Sequence, residues 1–204
     1  MDSLAAIGLS LHSGWASAVL MAQDSAGVPG LMARQRIILC EKPEARQPYH
    51  VAENMPLREA EAFIGKCRAA AVALAVEALE KLRDDAAVEI TGVGLAASSK
   101  RELPPLPKLL HSHALIHAAE GVFYRESVIE AAKQLALKAH AVTGRAACDF
   151  LEEAPALSET LERIGKKAGP PWALDEKCAS LAALSLLPGP ARQFHLETLG
   201  DAAA

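Results

Sequence analysis

The side chains best suited to chemistry are concentrated in the middle of the chain, in the stretch of residues 109–137. Two histidines, a glutamate and a tyrosine follow one another there at spacings of four, three and four residues: His113, His117, Glu120 and Tyr124. These spacings place all four on one face of a helix. Two imidazoles one turn apart, with a carboxylate nearby, can ligate Zn²⁺ or a similar ion, and the tyrosine can act as an outer partner. The pattern predicts one divalent metal ion bound by His113, His117 and Glu120.

The same side chains have a second interpretation. Polar residues in a row on a helix also hydrogen-bond one another or a neighbouring element, or form a contact between two helices or two copies of the chain. Two histidines four residues apart, without the full H-E-x-x-H pattern, are a weak indicator of metal. Structural or interface use is therefore favoured over metal ligation, and a homodimer is one form it can take. His111 lies on another side of the predicted helix, and His50 is isolated in the sequence.

The composition limits the classes of protein that the chain can belong to. Its 204 residues suffice for one domain with a sizeable core, and its apolar content is mostly alanine and leucine, which favours helix over an all-β fold. The net charge of −4 gives no global attraction to nucleic acid, although a local basic patch is compatible with it. No apolar run could span a membrane, no cysteines form a C-x-x-C pair, and no signal peptide is recognised, so we expect a cytoplasmic protein.

Hydrophobic patterns predict the elements that position these side chains. Five strands are predicted from runs in which apolar residues alternate with polar ones or in which β-branched residues are frequent. These runs lie at residues 5–11, 15–22, 31–40, 88–97 and 138–144. Apolar spacings of three and four predict helices at residues 54–84, 109–137, 147–168 and 175–187. The sequence therefore predicts one α/β domain over residues 1–187, with an opening antiparallel meander, a five-stranded mixed sheet and helices on both faces. Residues 188–204 are predicted to form a peripheral tail.

Three short segments fall, in chain order, on the first two predicted strands, at the end of the fourth strand and at the start of the last helix. An apolar strand leads through a glycine turn into a second strand (IGLSLHSGWASAVL, 7–20), a buried strand ends in VGLAASS (93–99), and a helix opens with DEKCASLAAL (175–184). In the order β-β-β-α-β-α-β-α, this series resembles the ribonuclease H-like superfamily, and within it the Holliday-junction resolvases. The resemblance implies a phosphodiesterase site in which carboxylates from strand one, strand four and the last helix hold two divalent metals.

The residues at the matching positions depart from that carboxylate set. Ser10 stands where strand one is expected to offer an aspartate, and Ala97 or Ser98 where strand four is expected to offer a glutamate. On the last helix Asp175 remains, but Cys178 takes the place of the second aspartate. One carboxylate of four cannot hold a metal pair, so the usual nuclease mechanism is not expected.

Further polar residues are expected to converge beside the N-terminal half of the helix at 109–137. The catalytic candidates are His12 and Asp175. The other pocket candidates are Ser10, Ser13, Ser98, Ser99, Tyr124 and Cys178. Two functions are compatible with this arrangement. The favoured one is a degenerate ribonuclease H-like protein that acts as a non-nucleolytic binding or scaffold module. The alternative is a metal-dependent phosphodiester hydrolase that uses the histidine–glutamate cluster.

Overall fold

The computed structural model describes residues 4–24, 26–86, 88–97, 102–143, 154–188 and 197–199. Its strands are β1 (Leu4–His12), β2 (Trp15–Gln23), β3 (Pro29–Ile38), β4 (Glu89–Ala97), β5 (Ala139–Thr143) and β6 (Glu197–Leu199). Its α-helices are α1 (Pro48–Ala52), α2 (Leu57–Ala86), α3 (Leu106–Leu110), α4 (His113–Gln134), α5 (Pro155–Ala168) and α6 (Leu174–Leu184). All five predicted strands are therefore present.

The strands form one mixed sheet in the order β3-β2-β1-β4-β5-β6. Strands β1, β2 and β3 are the predicted antiparallel meander, whereas β1 runs parallel to β4, and β4 runs parallel to β5. The predicted α/β class and mixed sheet are confirmed. The short strand β6 comes from the predicted tail and pairs antiparallel with β5, so the tail adds an edge strand. The division into a domain of residues 1–187 and a tail stays a prediction.

Helices cover both faces of the sheet. Alternate residues of β1 point to opposite faces, so Ile7 and Leu9 pack beneath α2 and α4, whereas Ala6 packs beneath α6. The long helix α2 turns one apolar stripe to the sheet, and Leu79 and Leu82 on that stripe are buried. No helix among these described ranges is both long and apolar enough to cross a membrane.

Helix α6 lies unusually close to the two central strands. A Cβ atom built on Gly8 of β1 would lie 1.9 Å from the carbonyl oxygen of Ala179, and one on Gly94 of β4 would lie 2.1 Å from that of Ala182. Glycine on the strands and alanine on the helix remove the side chains that would hold the two layers apart. This close approach fixes the height of the N-terminus of α6, and therefore the position of Asp175, above the sheet.

The predicted single helix at 109–137 is interrupted. The short helix α3 ends at Leu110, and α4 begins at His113 after Ser112, which has the extended conformation (φ −137°, ψ 110°) typical of an N-cap residue. The Ser112 carbonyl oxygen accepts hydrogen bonds from the N–H groups of Leu115 and Ile116, at 2.9 Å each. His113 and His117 thus lie on the first turns of α4, while His111 lies outside it.

Candidate functional site

The first candidate site lies at the carboxyl end of β1, where α6 begins. The Ser10 hydroxyl donates a 3.0 Å hydrogen bond to Asp175 Oδ1, and His12 Nε2 lies 2.9 Å from Asp175 Oδ2. Because residues 10 and 12 of a strand point to the same face, β1 presents both side chains to the start of the helix. The predicted candidates Ser10, His12 and Asp175 are brought together here, and both oxygens of the carboxylate have near neighbours.

A second carboxylate, that of Glu176, lies beside Asp175 and is bound by a serine of the neighbouring strand. Ser17 of β2 is the direct cross-strand partner of Ser10, and its hydroxyl donates a 3.0 Å hydrogen bond to Glu176 Oε1. The other oxygen, Oε2, accepts a 2.8 Å hydrogen bond from the backbone N–H of Ala173. Glu176 is only 8% exposed. Two neighbouring serines on the sheet therefore bind two consecutive carboxylates of the helix, a role for Ser17 and Glu176 that the sequence interpretation missed.

An aromatic stack extends this site toward solvent. The rings of His12 and Trp15 are stacked, with centroids 4.1 Å apart and planes 7° from parallel. The guanidinium carbon of Arg36 lies 3.6 Å from the centroid of the Trp15 ring, in a cation–π contact. Arg36 is exposed. His12 and Arg36 cover the two faces of the Trp15 ring, so the group that the stack offers to a ligand is the guanidinium, which is suited to contacts with phosphates.

The second candidate site is a group of three histidines on the other side of the sheet. His113 Nε2 and His117 Nε2 are 3.0 Å apart, and the ring of His50 from α1 lies 4.7 Å from that of His117 between centroids. One nitrogen from each of the three residues lies within 4.8 Å of the other two. His50, interpreted as isolated, is therefore part of the group.

Glu120 lies behind His50. Its Oε1 atom accepts backbone hydrogen bonds from Tyr49 (2.8 Å) and His50 (3.1 Å), and His50 Nδ1 lies 3.3 Å from the same oxygen. Glu120 is 5% exposed, and its other oxygen has no hydrogen-bond partner among the described residues. Burial raises the pKa of the Glu120 carboxyl, while the hydrogen bonds from His50 and Tyr49 act in the opposite direction. The predicted role of Glu120 as a direct metal ligand stays a prediction.

The remaining pocket candidates are spread over the molecule. Tyr124 is buried and donates a 2.9 Å hydrogen bond to the carbonyl oxygen of Arg46, and burial raises the pKa of its hydroxyl. Ser13 is exposed in the turn between β1 and β2. Cys178 lies on α6 and is buried among the apolar residues between that helix and the sheet. Ser98 and Ser99 lie outside the described residues.

The two candidate sites lie on opposite faces of the sheet. The first lies beneath α6, and the second lies between α1 and α4, the helix that packs with α2 over the face of Ile7 and Leu9. Asp175 contacts Ser10 and His12, and the histidines of α4 contact His50, so the predicted convergence of these two sets stays a prediction.

The fold is similar to that of a solved protein over nearly all of the chain. A structure titled "T. thermophilus RuvC in complex with Holliday junction substrate" aligns with a TM-score of 0.54 and 14% identity, over 97% of this chain and 99% of that one. The chain has the RuvC fold. A second Thermus thermophilus RuvC structure aligns with a TM-score of 0.53 at the same identity and coverage. The predicted ribonuclease H-like, resolvase-like fold is confirmed. No protein-family model and no curated protein sequence matches the chain.

The residues at the first site do not fit the two metals that this superfamily implies. Mg²⁺ and Mn²⁺ favour oxygen ligands, above all carboxylates. The matching positions offer a hydroxyl at Ser10, a methyl at Ala97 or a hydroxyl at Ser98, and a thiol at Cys178. Asp175 is already shared between Ser10 and His12. We therefore derive no reaction step through a metal pair.

Proposed function

We propose that the chain is a RuvC-fold binding module that contacts nucleic acid without cleaving it by two-metal chemistry. The observation that supports this proposal most directly is the position of Asp175, between the Ser10 hydroxyl and the His12 ring. A carboxylate in these contacts fixes α6 on the sheet, whereas a nuclease needs several free carboxylates at the same point. In this proposal the chain keeps the scaffold, and the carboxylates of Asp175 and Glu176 hold α6 on the sheet.

Nucleic acid is the proposed partner for two reasons. RuvC, which shares the fold, is known in complex with a Holliday junction substrate. The stack of Arg36, Trp15 and His12 also lies beside Asp175, and the guanidinium that lies on Trp15 is suited to binding phosphate. The acidic net charge of −4 predicts that binding depends on this local surface, and that it weakens with added salt.

The test uses the purified full chain with a labelled four-way DNA junction and a duplex of equal length. We expect binding of the junction in fluorescence anisotropy, without cleavage products after incubation with Mg²⁺ or Mn²⁺. Arg36→Ala and Trp15→Ala should each weaken binding, whereas Arg83→Ala, which removes a partly buried arginine of α2 paired with Glu80 and Asp84, should not. Cleavage with Mg²⁺ that disappears in Asp175→Ala would refute the proposal. So would the absence of binding to any of the substrates at low salt.

A metal-dependent hydrolase is the second candidate function, and the three-histidine group favours it. A metal ion held by three imidazoles and open to solvent can activate water or polarise a phosphoryl oxygen. This function requires the group to bind metal and to turn over a substrate. A screen with bis(p-nitrophenyl) phosphate and Zn²⁺, Mn²⁺ or Co²⁺ tests it, with His113→Ala as the inactive control. Equal activity in both proteins would exclude these histidines as the source.

A further inference from the structure

We propose that His50, His113 and His117 form a zinc-binding site in which Glu120 is the carboxylate that orients His50. This site is independent of the binding-module proposal. The ligand set also differs from the one predicted from sequence, because His50 takes the place of Glu120 and the glutamate moves behind it.

The spacing of the imidazole nitrogens fits one small ion. Zinc–nitrogen bonds are about 2.0–2.1 Å long, so two nitrogens bound to a tetrahedral zinc are roughly 3.3 Å apart. The two Nε2 atoms of His113 and His117 are already 3.0 Å apart, and the third ligand atom lies within 4.8 Å of both. Small rotations of the exposed rings would complete the set, because the backbone of α4 already places His113 and His117 one turn apart.

The position of Glu120 provides a second and independent observation. A histidine that binds metal through one ring nitrogen commonly donates its other N–H to a carboxylate, which fixes the ring orientation and the tautomer. His50 Nδ1 lies 3.3 Å from Glu120 Oε1, which leaves Nε2 of His50 for a metal. The same oxygen also holds the backbone N–H groups of residues 49 and 50, so Glu120 fixes both the ring and the helix that presents it.

The burial of Glu120 is costly unless a positive charge is nearby. Its side chain is 5% exposed, and no group in the described part of the chain hydrogen-bonds to Oε2, so the negative charge is incompletely stabilised by these neighbours. A divalent cation bound to His50 would provide the compensating charge across a single imidazole ring. Three neutral imidazoles carry no charge of their own, so the carboxylate and the cation complement each other.

The exposure of the ligands indicates the type of site. His113 and His117 are exposed and His50 is partly buried, so the site opens to solvent on the side of α4. Three protein ligands with one open position are typical of zinc sites that bind water or an exogenous ligand, whereas purely structural sites usually have four protein ligands. We therefore infer that the fourth position is available to a water molecule or to an anionic ligand.

The test is a zinc titration of the full chain after removal of any affinity tag and treatment with EDTA. We expect one Zn²⁺ per chain by calorimetry, with a loss of at least 100-fold in affinity for His113→Ala, His117→Ala or His50→Ala. Glu120→Gln keeps a hydrogen-bond acceptor but loses the charge, and should weaken zinc binding by about 10- to 100-fold.

His111→Ala is the matched control. His111 is exposed two residues before His113, and the hydrogen bond described for its ring is with the carbonyl oxygen of Pro107. It should bind zinc like the unmodified chain.

Two outcomes would overturn the assignment. The first is no zinc binding at micromolar concentrations. The second is unchanged affinity in His50→Ala, which would leave only a two-histidine pair. Circular dichroism of the metal-free variants checks that each one is folded. Because His50 contributes to packing, the visible spectrum of the Co²⁺-loaded unmodified chain gives a second readout, which should show tetrahedral coordination. Junction binding measured in EDTA is unaffected by either result, so failure of the zinc site and failure of the binding module are distinguishable.

Discussion

At the level of single residues, Asp175 is placed by side chains that come from a distant part of the chain. Ser10 is buried and donates to Oδ1, while His12 approaches Oδ2 from the end of the same strand. A hydroxyl in this position supports a carboxylate but cannot replace one as a metal ligand of comparable strength. The first site is therefore best understood as a contact that joins α6 to the sheet.

This interpretation predicts a stability effect for Ser10→Ala. The substitution removes a hydrogen bond to a carboxylate, but Asp175 is 34% exposed and water can replace part of the contact. We expect the free energy of unfolding to fall by about 1 kcal/mol, measured by urea denaturation. Ser13→Ala is the control, since Ser13 is exposed in the adjoining turn, and it should change stability by less than about 0.5 kcal/mol. Equal effects of the two substitutions would argue against a structural role for the Ser10–Asp175 contact.

The two tyrosines allow a prediction about alkaline pH. The chain contains only Tyr49 and Tyr124, and burial raises the pKa of both hydroxyls above the usual value of about 10. A tyrosine with a raised pKa holds its proton more tightly in the folded state than in the unfolded chain. The associated stability is therefore fully present below about pH 10 and is lost as the pH rises toward the folded-state pKa.

The measurement is an alkaline titration of tyrosinate absorbance, followed in parallel by far-UV circular dichroism. We expect little tyrosinate signal at pH 10, and a later rise that coincides with unfolding. The same chain in concentrated urea should titrate near pH 10 and provides the reference. If half of the absorbance change developed near pH 10 while the dichroism stayed constant, one of the two hydroxyls would have to be accessible in the folded protein.

At the level of elements, the close approach of α6 to the sheet depends on two glycines. A methyl group at Gly8 or Gly94 would overlap the backbone of α6, at distances of 1.9 and 2.1 Å from carbonyl oxygens. Backbone cannot move aside as a flexible side chain can, so we expect Gly8→Ala or Gly94→Ala to destabilise the fold by about 3 kcal/mol or more. Thermal or urea unfolding of the purified variants measures this effect.

Gly65→Ala is the control for this prediction. Gly65 is exposed on α2, and apart from the neighbouring backbone of its own helix no described residue has an atom within 4 Å of a Cβ built there. Alanine is the better helix former, so the substitution should raise the free energy of unfolding by about 0.5–1 kcal/mol. The two kinds of glycine should therefore respond with opposite signs. A neutral Gly8→Ala variant would indicate that α6 lies farther from β1 than the structure shows.

The sequence predicts elements better than contacts because elements depend on local patterns. The strand of Glu89–Ala97 and the long helix of Leu57–Ala86 follow from apolar runs and spacings that neighbouring residues contain. The break before His113 was missed because apolar residues continue on both sides of Ser112, and one extended residue is enough to end a helix. The sequence thus predicts the ribonuclease H-like order of elements, but not each of their ends.

The second site shows why side-chain clusters are harder to predict. His113, His117 and Glu120 share a helix, so their spacing alone indicates that they are neighbours. His50 reaches them only through the packing of α1 on α4, and it contacts Glu120 from 70 positions away in the chain. No spacing rule connects residues so far apart. A third histidine elsewhere in the sequence is the only available signal, and by itself it does not identify a contact.

At the level of the whole molecule, one sheet separates two sites with different chemistry. The face beneath α6 carries Asp175 and the aromatic stack, whereas the face beneath α4 carries the three histidines and Glu120. Because the contacts described for the two groups share no residue, a substitution in one site should leave the geometry of the other in place. Effects on nucleic-acid binding and on metal binding are therefore expected to be additive.

The proposed zinc site should be measurable as stability of the whole fold. A ligand that binds only the folded state raises the free energy of unfolding by about 2.7 kcal/mol when its free concentration is 100 times its dissociation constant. For a chain of 204 residues this corresponds to a rise in Tm of roughly 5–10 °C. The site joins α1 to α4, so zinc should add to a contact in which Glu120 already hydrogen-bonds the backbone of Tyr49 and His50. Differential scanning calorimetry with and without Zn²⁺ measures the shift, and His117→Ala should abolish it because that exposed side chain adds little to the metal-free fold. A Tm that stays constant in saturating zinc would show that the three imidazoles pack together without binding the ion.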